Sequence, residues 1–343
     1  MKALVKYQRG NGFVEIRDMP LPTLEEHEVL IKVSACGICG SDIHIFHDEF
    51  SNDPPVIMGH ELSGTIERVG SQDFDWSTDD RVVAEPHNAS CGKCKLCRTG
   101  NQHVCSAKRA LGSKTDGGFA NYIKVPQQLV HKIPDNVDLI DAAITEPTAI
   151  CIHSLLEFGK VKPGDFVVIL GPGPIGFLSA IIAKKSGARH IVIAGTNKDE
   201  TKRLKVATNL GVDTVVNVEK EDLVKVVNEL TDGIGADVVI EASGAQAAIN
   251  QVVQICCQQG SIIAIGLTQK EQILFNWNKA IIKEIKMFMP FSSTWTSWEQ
   301  ALQLLSKKII DVKSLTNRRP LEEWKEAFNE LENAKAIKIL LTI

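Results

Sequence analysis

The sequence predicts an α/β protein: a β-rich first domain, then a doubly wound parallel sheet covered by helices, then a tail that packs back on the first domain. Three observations predict it. Residues 1–147 carry short alternating runs such as "VLIKVSA" and "LSGTIERV", broken by Gly, Pro and Asp, which is the pattern of half-buried strands. Residues 148–285 alternate apolar strands with helices, as a parallel sheet with both faces covered requires. Residues 286–343 end in "AIKILLTI", an apolar strand that must pair with a sheet.

The elements of the middle zone follow in order. "GDFVVILG" reads as a buried strand and "IGFLSAIIAKKSG" as a helix closing on Gly187. "HIVIAG" is the next strand, "DETKRLKVATNLG" a helix ending at Gly211, and "TVVNV" a strand. "ADVVIEASG", a helix and "GSIIAIGL" continue the rhythm; the tail adds helices at "WEQALQLLSKK" and "LEEWKEAFNELEN". Along the first tail helix Leu302, Leu305 and Ile309 form a core or subunit-contact stripe. Trp295 and Trp298 border either a substrate pocket or the core.

A chain of 343 residues has room for two domains, and 44% apolar with 23% charged residues is ordinary for a soluble globular protein. The net charge of −4 gives no attraction for nucleic acid or an anionic membrane. Phe166 to Ala183 is uncharged over 18 residues, but "GPGPIG" breaks any spanning helix at its centre. The N-terminus lacks a signal-peptide pattern, so a cytoplasmic location is expected. Disulfides are rare there, and clustered cysteines then favour metal binding or catalysis.

"VVILGPGPIG" sets Gly171, Gly173 and Gly176 in G-x-G-x-x-G spacing between a strand and a helix that opens with Pro174 and Ile175. The first glycine allows the tight turn, the second lets a pyrophosphate approach the backbone, and the third lets helix and strand pack closely. A dinucleotide is the expected ligand. The fingerprint also expects an acid about 20 positions on, at the adenosine ribose. Here the second strand ends in Gly195, Thr196 and Asn197, with Asp199 later and Lys198, Lys202 and Arg203 nearby. Loss of the acid admits a 2′-phosphate, yet no arginine follows the tip directly, and Asp199 and Glu200 come right after Lys198. The balance leans slightly to NAD(H) over NADP(H). Ser243, Gly266 and Leu267 end the later strands, where ligands bind in such sheets.

Four of the nine cysteines, Cys91, Cys94, Cys97 and Cys105, share the loop "SCGKCKLCRTGNQHVC". Four thiolates saturate tetrahedral zinc, so this set reads as a closed, structural site that orders a polar loop. A second set is open. "CGICGSDIH" offers Cys36, Cys39, Ser41, Asp42 and His44, "GHE" offers His60 and Glu61, and "TEP" offers Glu146. One thiolate, one imidazole and one or two carboxylates can hold zinc with room for water or an alcohol.

With "DGGFANY" and "EASG" added, these motifs cover essentially the whole chain, which resembles the zinc-dependent medium-chain dehydrogenases, and within them the polyol and threonine dehydrogenase branch. The cue for the branch is Glu146 before Pro147. The resemblance implies a GroES-like catalytic domain over 1–147 with a structural zinc lobe, an inserted Rossmann domain over 148–285, and a return to the catalytic domain over 286–343. It implies two zincs per chain, with Cys39, His60, Glu61 and Glu146 as the catalytic set; the two glutamates alternate between direct contact and contact through water. Cys36 is a neighbouring structural thiol, and Asp42 orients His60. Ser41 and His44 match the family's relay, by which the alcohol proton leaves through the ribose hydroxyls while hydride passes to the nicotinamide. The substrate is then a secondary alcohol: a polyol, a sugar alcohol or its phosphate, a diol, or a threonine-like molecule. A homo-oligomer, dimer or tetramer, is expected. A non-enzymatic redox sensor on the same fold is the alternative, and it has no need of Cys39, His60 and Glu146 together. A zinc-free quinone-reductase-type enzyme would lack both metal sets.

Overall fold

The strand Lys338–Thr342 lies antiparallel to Glu28–Gly37, with Leu340 opposite Gly37 and Leu341 opposite Cys36. The apolar terminal run thereby finds its sheet, and Leu340 and Leu341 are fully buried there. The computed structural model describes residues 1–71 and 74–343. Its contacts define two units. The first is Met1–Ala149 with Ser293–Glu332 and Lys338–Ile343; the second is Ile150–Ser292 with Asn333–Ile337.

In the first unit the main sheet runs Val130–Lys132, Arg81–Ala84, Glu61–Val69, Glu28–Gly37, Lys338–Thr342 and Thr316–Pro320, and Tyr122–Pro126 also pairs with Glu28–Gly37. Glu28–Gly37 is central, and eight of its ten residues are buried. The short helix Gly40–Phe46 follows it directly. Trp298 is buried against His131, their rings stacked at 5.4 Å and 10°, while Trp295 is exposed. Leu302 and Leu305 are core residues.

In the second unit six strands pair in parallel, in the order Thr214–Asn217, His190–Gly195, Phe166–Leu170, Ala236–Glu241, Cys256–Ala264, Lys286–Phe288. The chain starts in the middle of this sheet, moves outward one way and then the other. That order is doubly wound, and its switch point lies between Phe166–Leu170 and Ala236–Glu241. Both central strands are nearly all buried, which is why they read as continuous apolar runs. The uncharged stretch from Phe166 splits into a five-residue strand and the helix Pro174–Lys185. No helix among the described residues is long and apolar enough to cross a membrane.

Several elements differ from the sequence reading. The helix expected from Asp199 begins at Arg203, because the Asp199 carboxylate accepts from the Thr196 N–H and hydroxyl, both at 3.0 Å, closing a separate turn at Asn197–Asp199. The strand expected at "GSIIAIGL" begins earlier, at Cys256, with a register shift against Ala236–Val238. The helix Leu223–Leu230 has a capping aspartate, Asp222, whose carboxylate accepts from the Val224 and Lys225 N–H groups.

Leu340→Ala should destabilise the protein by about 2–5 kcal/mol, the range for truncating a buried leucine. Denaturant unfolding followed by tryptophan fluorescence checks this; an unchanged midpoint would mean that the terminal strand contributes nothing to the first unit.

Candidate active site

Cys39 is the N-cap residue of Gly40–Phe46; His60 directly precedes the strand Glu61–Val69, which Glu61 opens. Asp42 ties these segments together. Its fully buried carboxylate accepts from the Cys39 N–H at 2.8 Å and the Gly59 N–H at 3.2 Å, and lies 3.8 Å from His60 Nδ1. One donor atom each from Cys39, His60 and Glu61 then falls within a 4.8 Å span. Burial disfavours a charged His60, but the Asp42 carboxylate and Cys39 outweigh it and hold its pKa well above the ordinary histidine value.

Glu61 is only 1% exposed, and its carboxylate is met by the ammonium of Lys338, also 1% exposed, which donates in addition to the Ile38 carbonyl at 2.8 Å. Gly37 stands opposite Glu61 in the sheet, and a Cβ there would lie 2.1 Å from Glu61 Oε2. Glu146 sits in the first turn of Thr145–Ile152, is buried, and its Oε2 has no hydrogen-bond partner. Burial, reinforced by Glu61 and opposed by His60, pushes its pKa up to about 7. Glu146 is not part of the tight Cys39–His60–Glu61 grouping, but it lies within their electrostatic reach. A buried carboxylate oxygen without a donor, beside a thiol, an imidazole and a second carboxylate, fits a cation. Cys36 is fully buried and outside the grouping. Ser41 and His44 lie three residues apart on Gly40–Phe46, hence on one face, with His44 Nδ1 3.2 Å from Glu49 Oε2.

The four cysteines of the loop converge as well. Their sulfurs are separated by 3.5 Å (Cys94 to Cys97), 3.6 Å (Cys91 to Cys105), 3.8 Å (Cys91 to Cys97) and 3.9 Å (Cys94 to Cys105). Tetrahedral zinc with bonds of about 2.3 Å requires sulfur–sulfur edges of about 3.8 Å, so this set fits the metal. Backbone N–H groups point at the sulfurs, and those of Cys94 and Lys93 lower the Cys91 pKa to about 6. A third grouping, Glu25, His27 and Glu28, is a surface turn whose buried member, Glu28, already pairs with Lys124 at 2.9 Å.

In the second unit Gly171 has φ +107°, and a Cβ on Gly176 would lie 2.0 Å from the Gly171 carbonyl. A Cβ on Gly173 would meet nothing within 4 Å. Gly173 caps Pro174–Lys185, with Pro174 in its first turn and Ile175 next, so the helix N-terminus faces open space. Glu241, overlooked in the sequence, organises the neighbouring strand ends. Its buried carboxylate accepts from the Ser243 N–H and hydroxyl and the Gly244 N–H, and a Cβ on Gly266 would lie 2.5 Å from its Oε2. Leu267 is exposed beyond it. At the tip of His190–Gly195, Thr196 holds Asp199, and the largely buried Arg203 guanidinium bonds Asp199 Oδ1 and the Ala336 carbonyl, each at 3.2 Å. Asn197 Oδ1 accepts from Asn217 Nδ2 at 2.8 Å.

With this geometry in hand, relatives place the chain. The model "Alcohol dehydrogenase GroES-like domain" matches residues 25–135, and "Zinc-binding dehydrogenase" matches 174–307. Sorbitol dehydrogenase of Halalkalibacterium halodurans is 40% identical over 100% of this chain and 99% of its own. D-arabitol-phosphate dehydrogenase of Enterococcus avium is 36% identical, covering 99% and 97%. The crystal structure of galactitol-1-phosphate dehydrogenase from Escherichia coli superposes with a TM-score of 0.90 at 26% identity, covering all of both chains. The chain belongs to the zinc-type medium-chain dehydrogenase/reductase superfamily, with a GroES-like domain and a Rossmann-like domain. Its activity is hydride transfer between an alcohol or polyol and NAD(P).

Gly173→Val should fold normally and lose dinucleotide binding, because its side chain fills only the space over the helix N-terminus. Gly176→Ala should instead lower stability, by driving a methyl against the Gly171 carbonyl. NADH fluorescence titration beside a thermal melt checks both; normal NADH affinity in Gly173→Val would rule out a pyrophosphate at this loop.

Proposed function

We propose that the chain is a zinc-dependent dehydrogenase of secondary alcohols of the polyol type, with two metal sites of different duty. The observation that carries this is the convergence of Cys39, His60 and Glu61 beside the unpartnered carboxylate oxygen of Glu146. Those residues would hold a catalytic zinc, and Cys91, Cys94, Cys97 and Cys105 a structural one. When bound, zinc supplies Lewis acidity to the alcohol oxygen and the dinucleotide supplies the hydride acceptor.

The chain's own residues do the rest. Asp42 fixes the Cys39 and Gly59 backbones and orients the His60 ring. Lys338 holds Glu61 and compensates its charge in a buried setting. Ser41 takes up the alcohol proton and passes it toward His44. The His44 side chain is one-third exposed, so its imidazole can hand that proton on to water. The substrate class is a polyol, a sugar alcohol or its phosphate, a diol or a threonine-like alcohol; the names of the relatives above support the polyol and sugar-alcohol-phosphate members. NAD(H) is preferred: Arg203, the first arginine after the tip of the ribose strand, is engaged by Asp199 and Ala336. A homo-oligomer is supported by the exposed apolar side chains of Leu274, Trp277, Ile282 and Met289 in a unit whose edge strand is Lys286–Phe288.

Elemental analysis should give about two zincs per chain. Mild chelation should remove activity before it unfolds the protein, because the mixed donor set is open and the four-thiolate set is closed. Cys39→Ala and His60→Ala should abolish turnover in a screen of polyols, sugar alcohol phosphates, diols and threonine, and still bind NADH. One zinc per chain with full activity, or normal turnover in Cys39→Ala, would sink the two-site reading.

A further inference from the structure

Discrimination between the two nicotinamide dinucleotides depends on what stands beside the adenosine ribose, at the tip of the second strand of the fold. A carboxylate there accepts from the 2′-hydroxyl and repels a 2′-phosphate; an arginine does the reverse. In this chain the tip, Gly195-Thr196-Asn197, carries neither. Asp199 is turned inward to Thr196, and Arg203 is held by Asp199 and the Ala336 carbonyl.

A carboxylate reaches the tip from the neighbouring strand instead. Thr214–Asn217 runs parallel to His190–Gly195, with Asn217 opposite Gly195. The chain leaving it is fastened to the tip at several points. The Val218 N–H donates to the Gly195 carbonyl at 2.9 Å, and Asn217 Nδ2 donates to Asn197 Oδ1 at 2.8 Å. The Glu219 N–H donates to Asn217 Oδ1 at 3.1 Å, and the Asn197 N–H donates to Glu219 Oε2 at 3.0 Å. Glu219 is otherwise exposed, on the side of the sheet where strand carboxyl ends receive ligands.

We propose that Glu219 is the specificity-determining acid of the dinucleotide site, replacing the acid absent from the second strand. This rests on the reading that NAD(H) is preferred. The charges around it agree. Lys220, its neighbour, is paired with Glu200 at 2.5 Å, and Arg203 is paired with Asp199 at 3.2 Å. Lys198 and Lys202 are exposed and screened by solvent, whereas the Glu219 carboxylate is anchored at the tip by a backbone N–H. The sequence pattern hides this residue because it lies in the turn after the third strand of the unit, more than 20 positions past the tip.

The test is fluorescence titration of NADH and NADPH into the purified enzyme and into Glu219→Gln and Glu219→Lys. The glutamine amide oxygen still accepts from the Asn197 N–H, so the loop keeps its shape while the charge is lost. The wild type should bind NADH more tightly. The ratio of the NADPH to the NADH Kd should fall about tenfold in Glu219→Gln, the equivalent of about 1.4 kcal/mol, and further in Glu219→Lys. Thermal melts should match the wild type. A second readout needs no variant: in the wild type the same ratio should fall as salt is raised, because charge repulsion is screened. A wild type that prefers NADH, with a ratio unmoved by either substitution and by salt, overturns the role of Glu219 and leaves the NAD(H) reading standing. A wild type that prefers NADPH overturns both.

Discussion

The contact on which the candidate metal site depends is the buried ion pair between Glu61 and Lys338. Both residues are 1% exposed, and charges taken out of water persist only when paired and hydrogen-bonded. The two residues come from strands on either side of Glu28–Gly37, 277 positions apart in sequence. Between them stands Gly37, and any side chain there would collide with the carboxylate. The terminal strand, the central strand and the strand that carries Glu61 are thus bound by one constraint. If the tail failed to dock, Glu61 would be buried without a cation, and its place beside Cys39 and His60 would be lost.

The second unit follows the same logic with different partners. Glu241 is a buried carboxylate at the end of a central strand, compensated by N–H and hydroxyl donors from Ser243 and Gly244. Glycine is again required where the chain crosses it: a Cβ on Gly244 would lie 2.1 Å from the Leu267 carbonyl, and one on Gly266 would lie 2.3 Å from the Gly244 nitrogen. The G-x-G-x-x-G turn supplies the helix N-terminus, and Glu241 sets the neighbouring strand ends. Each unit pairs a short local motif with a buried carboxylate that fixes the backbone around it. The candidate metal donors Cys39, His60 and Glu61 lie in the first unit and the G-x-G-x-x-G turn lies in the second.

What the sequence disclosed was local. The four cysteines span 15 residues and the glycine turn spans six, so spacing alone reveals their geometry. The buried strands were legible because apolar runs have no other use, and the tail's return was legible because an apolar strand needs a sheet. What stayed hidden is polar and long-range. Lys338 reads as an ordinary lysine in "AIKILLTI", and nothing nearby announces that its partner is Glu61. Glu241 gave a weak signal, an acid closing an apolar strand, but its partners depend on the turn that follows. The late start of the helix at Arg203 was hidden for a related reason: Asp199 prefers a local bond to Thr196 over joining the helix.

The proposed function requires two metal sites in chemically different surroundings, one all sulfur and the other one thiolate with an imidazole and carboxylate. Zinc X-ray absorption on the purified enzyme tests it most directly. The two sites together should give about 2.5 sulfurs per zinc on average, at about 2.3 Å, with nitrogen or oxygen neighbours at about 2.0–2.2 Å. Mild chelation should raise the average toward four as the mixed site empties. Four sulfurs per zinc in the fully active, untreated enzyme would contradict it, because no zinc would then remain for Cys39, His60 and Glu61.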